Sequence, residues 1–90
     1  MTLAPAGANL RRMLSPEELD RLFEELIAHQ RKRVLEFARR LNPRATDDDV
    51  LSPIDIPELA GNAEWNYEDG LLHGYLSAQM AVRAKVREQR

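Results

Sequence analysis

GLLHGYLSAQMAV, residues 70–82, contains no aspartate, glutamate, lysine or arginine, in a chain where 31% of residues are charged. The run is long enough for more than three turns of helix. It is too short to cross a bilayer, which needs about 20 apolar residues. A helix with no charged face is ordinarily buried over most of its circumference. A chain of 90 residues has little material with which to bury one so completely. The run therefore predicts a helix that meets another chain as well as its own.

Working outward, the helical pattern spans about 63–88. Asn62 and Asn66 are both good N-caps, each with an acid in the next three residues. Trp65, Tyr67, Leu71, Leu72, Tyr75, Leu76, Met80, Val82 and Val86 cover an arc of roughly 220° when projected at about 100° per residue. A single neighbouring helix needs only a little over roughly 100°. The opposite side carries Gly70, Gly74, Ser77, Ala81 and Ala84, small enough for another backbone to come close. The expected interface is Leu71, Leu72, Gly74, Tyr75, Ala78, Ala81 and Val82.

A second long helix is expected over about 15–41. Ser15 is its N-cap, Pro16 stands at the first helical position, and Glu18 closes a capping box. Arg39 and Arg40 suit the negative end of the dipole, and Asn42-Pro43 stops the helix. Leu19, Leu22, Phe23, Leu26, Ile27, Val34, Phe37, Ala38 and Leu41 form its apolar stripe. Gln30 interrupts the stripe, where one buried polar group fixes register between helices at some cost in stability. Leu35 is expected to be exposed on the far side.

The connector is too apolar for a plain loop. Thr46 with Asp47, Asp48 and Asp49 predicts a capped turn over 47–51, and residues 57–60 predict a second turn closed by Gly61. Val50, Leu51, Ile54, Ile56 and Leu59 are expected to fold over one end of the hairpin. Residues 1–14 read as a partly disordered tail, and residues 15–90 as one helical domain. The fold class is all-α: a long helical hairpin, expected to pair into a dimeric four-helix bundle. That architecture is similar to small bundle dimers such as Rop-like proteins, a likeness that carries no function. In a monomer, the connector and the tail would have to cover the rest of the second helix.

Composition narrows the function classes. No cysteine is present, so disulfides and thiolate metal sites are excluded. This agrees with a cytoplasmic setting, as does an N-terminal segment without the apolar stretch of a secretory signal. Net charge is −2 and the isoelectric point is near 5.7, which disfavours nucleic acid as a partner. Residues 45–75 hold eight acids and no lysine or arginine, whereas residues 76–90 hold four basic residues and one acid. Helix dipoles account for such a division, and so does antiparallel pairing between chains.

Three sets of residues deserve comparison as chemistry. Glu25/His29 and Asp69/His73 each share a helix face at i, i+4 and offer a carboxylate with an imidazole to a metal. Neither has the Glu-x-x-His spacing of carboxylate-bundle iron sites. Arg31, Lys32, Arg33, Arg39 and Arg40 form the best phosphate-binding candidate, although the adjacent ones point apart round the helix. Trp65, Tyr67, His73 and Tyr75 lie among acids, a composition that suits a cationic ligand. No nucleophile and base are paired for covalent catalysis, and nothing calls for a cofactor. The expectation is a non-enzymatic, membrane-free, homodimeric assembly module, with a further protein partner as an added role.

Overall fold

The computed structural model describes residues 13–52 and 56–89. Every regular element among them is helical: α1 (Pro16–Leu41), α2 (Asp47–Leu51), α3 (Pro57–Ala60) and α4 (Ala63–Glu88). The expected tail lies mostly outside the described residues, as does Ile54 in the connector.

Side-chain caps mark the starts of α1, α2 and α4. Ser15 Oγ accepts from the Glu18 N–H, and Glu18 Oε1 accepts from the Ser15 N–H, both at 3.0 Å. That capping box satisfies two backbone donors left open at the helix start. Thr46 and Asp49 repeat the device at α2. Asn62, rather than Asn66, caps α4 by accepting from the Trp65 N–H at 2.8 Å. Asn66 instead donates its side-chain amide to the carbonyls of Ala60 and Asn62, tying α3 to the first turn of α4.

The helices α1 and α4 run antiparallel along each other, and the connector closes one end. The core gathers there: Val34, Ala38, Ala45, Leu59 and Trp65 are buried, with Phe37, Leu41, Val50, Ile56 and Leu72 packed on them. Trp65 is fully enclosed, and its indole N–H donates to the Val34 carbonyl at 3.2 Å. The connector thus caps the hairpin as expected, with one correction. Leu51 points away and is 79% exposed, because a five-residue helix can present only one side to the core.

The open half of the hairpin is built differently. Ile27 is the only buried apolar residue of α1 outside the connector-end cluster. Leu22 and Leu26, expected in the stripe's core, are 45% and 40% exposed. One facing helix cannot cover a stripe wider than its own contact line. The centre of the seam is taken by polar groups instead: Gln30, Glu68 and Gln79 are the buried polar residues among those described. Leu35, expected on the exposed side, is half-buried beside the seam.

Candidate functional site: the broad face of the open half

Two ion-pair clusters fix how the helices face each other. Glu68, on α4, is held by two residues of α1. Gln30 Nε2 donates to its side chain at 2.9 Å and to its backbone carbonyl at 2.8 Å. Arg33 makes a two-pronged contact, Nε to Oε1 at 3.1 Å and Nη2 to Oε2 at 3.2 Å. The Arg33 and Gln30 hydrogen bonds hold the Glu68 carboxyl below its ordinary range. Nearer the open end, Arg83 reaches across to Asp20 at 2.6 Å and Glu24 at 3.0 Å. The hydrogen bond from Arg83 holds the Asp20 carboxyl low in the same way. Gln79 is 4% exposed, and its Nε2 makes no hydrogen bond of good geometry within the seam. Its amide contributes only weakly to keeping Asp20 ionised.

These contacts identify the two broad sides of the ribbon. At about 100° per residue, Leu19, Leu22 and Leu26 fall on the same flank of α1 as Arg33. Leu71, Tyr75, Ala78 and Val82 fall on the flank of α4 that carries Glu68. Since Arg33 and Glu68 meet, the two flanks form one surface. No charged residue interrupts it between residues 19 and 26 on α1 or between 71 and 82 on α4 on that flank. Its side chains are half-buried or exposed. The opposite broad side carries the Asp20–Arg83–Glu24 cluster.

The expected interface residues divide accordingly. Leu71, Tyr75, Ala78 and Val82 lie together on the apolar side. Leu72 instead packs on the connector-end core. Gly74 and Ala81 are exposed and project away from α1. A Cβ at Gly70 or Gly74 would meet nothing within 4 Å, so α1 does not use the small-residue stripe. Tyr67 and Met80 are also exposed, at 66% and 68%.

The other candidate sets do not come together. Glu25 and His29 are exposed on α1, away from the seam. His73 pairs with Asp69 at 3.4 Å on α4. Desolvation raises the Asp69 carboxyl above its usual value, against the opposing pull of His73. Among the described residues, no group of three or more histidines and carboxylates is placed to hold a metal ion. The basic residues are partly spent within the fold. Arg33 binds Glu68, Arg39 Nε donates to the Ala45 carbonyl at 3.1 Å, and Arg40 lies over the Phe37 ring at 5.2 Å. Arg31 borders a hollow of about 420 Å³ with Val34, Asp47, Val50, Leu51 and Leu72, and Lys32 is exposed. Of the aromatic set, Trp65 is buried, whereas Tyr67 and His73 are exposed on different sides of α4.

Sequence reasoning gave Gln30 and Glu68 no joint role. The signal was present as a glutamine in an apolar stripe. Its partner was hidden because a glutamate near a helix start is already explained by the dipole.

No protein-family model matches the chain, no curated protein matches it, and no solved structure matches it. Among the described residues, no helix is long and apolar enough to cross a membrane.

Proposed function

We propose that this chain is a non-enzymatic helical interaction module that works by docking its broad apolar side against another protein surface. One observation carries the reading. The open half of the hairpin presents Leu22, Leu26, Leu71, Tyr75, Ala78 and Val82 on a single uncharged side, while polar groups fill the seam beneath. A contiguous apolar patch rimmed by polar residues is the ordinary mark of a protein contact.

The test uses a photo-crosslinking amino acid placed in the full chain inside cells. At Leu26 or Ala78 it should give discrete protein adducts, and at Lys32, on the outer side of α1, it should not. Equal adducts from all three positions, or none from Leu26 and Ala78, would contradict docking through this side.

A further inference from the structure

We infer that the hairpin is hinged at Ile27 and Gln79: its open end parts while its connector end stays shut, and Arg83, gripping Asp20 and Glu24, is the salt-labile latch between the arms. The device belongs to the single chain and stands whether or not the docking reading above holds.

Packing divides the two ends. Val34, Ala38, Ala45, Leu59 and Trp65 form a buried cluster at the connector end. Toward the open end the last buried residues are Ile27 on α1 and Gln79 on α4. No residue is buried from Pro16 to Leu26 or from Met80 to Glu88. The α1 arm beyond the hinge is about 16 Å long at 1.5 Å per residue. Segments with few buried apolar contacts are those that open at the lowest free energy.

The two ionic clusters differ in how salt reaches them. The Glu68 carboxylate is 11% exposed in its pair with Arg33, and Gln30 beside it is buried. Asp20 and Glu24 are 37% and 57% exposed. Salt screens exposed pairs far more than enclosed ones, as the screening length falls from about 30 Å at 0.01 M to about 3 Å at 1 M. One guanidinium serves both acids: Arg83 Nε and Nη2 donate to Asp20 at 2.6 and 3.0 Å, and Nη2 donates to Glu24 at 3.0 Å. Removing Arg83 therefore dissolves the whole cluster.

Gln79 biases the hinge toward opening. Gln30 Nε2 has two acceptors, at 2.8 and 2.9 Å. Gln79 Nε2 is enclosed with none of good geometry. A buried donor without an acceptor is dehydrated with no compensation. Water reaches it once the arms part, so the closed state carries a penalty that a leucine in the same place would not. Opening also bares Phe23 and Leu76, half-buried beside the seam, so the latch sets how much apolar surface a partner meets.

The experiment reads spin-label distances within one full-length chain, diluted in unlabelled chain so that separations between copies do not contribute. The chain has no cysteine of its own. Arg21→Cys with Ala81→Cys reports on the open end, and Glu36→Cys with Tyr67→Cys on the connector end; all four positions are exposed. At about 0.01 M salt both separations should be narrowly distributed. At about 1 M salt the open-end separation should broaden and lengthen by about 8 Å, the swing of a 16 Å arm through roughly 30°. The connector-end separation and the helical circular dichroism should not change. Arg83→Gln should give the lengthened separation already at low salt. Gln79→Leu should restore the short one, both at high salt and in the Arg83→Gln chain. An open-end separation unmoved by salt and by Arg83→Gln overturns the latch. Lengthening of both pairs together overturns the hinge. Loss of helical signal alongside the lengthening overturns parting arms in favour of fraying ends. Failure of Gln79→Leu to shorten the separation overturns the role of its amide.

Discussion

Replacing Trp65 with phenylalanine should remove a large part of the chain's stability, because the connector-end core is organised round this one indole. Trp65 is 0% exposed and packs with Val34, Ala38, Ala45 and Leu59. The change loses roughly 40 Å² of buried apolar surface, about 1 kcal/mol at 25 cal/mol/Å². It leaves a gap of roughly 40 Å³, costing about another 1 kcal/mol if the site fails to collapse. The hydrogen bond to the Val34 carbonyl contributes about 1 kcal/mol net. The Val34 carbonyl keeps its partner within the helix, so no buried acceptor is orphaned. The sum is about 2–3 kcal/mol. Trp65→Ala should cost about 3–5 kcal/mol, against a total that for a chain of this size is only about 5–13 kcal/mol. Urea unfolding followed by circular dichroism at fixed protein concentration measures both. With a denaturant slope of about 1–1.5 kcal/mol per molar, the phenylalanine variant should unfold about 2 M earlier. A loss below about 0.5 kcal/mol for phenylalanine, or below about 1.5 kcal/mol for alanine, would refute the claim that this cluster organises the fold.

Gly74→Ala should stabilise the chain by about 0.5–1 kcal/mol, since glycine is costly inside a helix and the added Cβ meets nothing within 4 Å; a lower melting temperature would mean that another surface occupies the outer stripe. Ser15→Ala should cost about 1 kcal/mol by breaking the capping box, seen as reduced protection of the first turn of α1 in hydrogen exchange. The two neighbouring acids of α4 should act on stability in opposite directions. Glu68, whose carboxyl is held below its usual 4.5 by Arg33 and Gln30, contributes stability that is present above that value and lost as pH falls through its folded pKa. Asp69, raised above 3.8 by burial, binds its proton more readily folded than unfolded, so its contribution falls as pH rises from 3.8 through its folded pKa. Unfolding of Glu68→Gln and Asp69→Asn between pH 2.5 and 6 separates them: the first should flatten the acid-side loss and the second should steepen it.

The outline of the fold was legible because its signals are local. Ser15, Thr46 and Asn62 cap the helices they precede, and both short connector turns occur where Thr46, Pro57 and Gly61 place them. The stripe of α1 was legible as a pattern but not as a core. Periodicity says that Leu22 and Leu26 share a side with Ile27; it does not say that the neighbour is one helix wide. The polar seam was hidden for a different reason. The partnership of Gln30, Arg33 and Glu68 spans 35 to 38 residues of sequence, and each residue has a sufficient local explanation. The same holds for Asp20 with Arg83. The 70–82 run has no charged side, and its pattern alone does not say which side meets α1. The bulky flank with Leu71, Tyr75 and Val82 lies beside the seam, whereas Gly74 and Ala81 face outward, because the contact line of α4 follows Trp65, Glu68, Leu72 and Gln79.

Amide hydrogen exchange along the full chain tests most directly whether the connector end carries the fold and the open half is its weaker part. Amides of residues 20–26 and 80–86 should exchange faster than those around Val34 and Trp65, because helix arms with no buried residue open at lower free energy than a packed core. Equal protection of the two halves would contradict it.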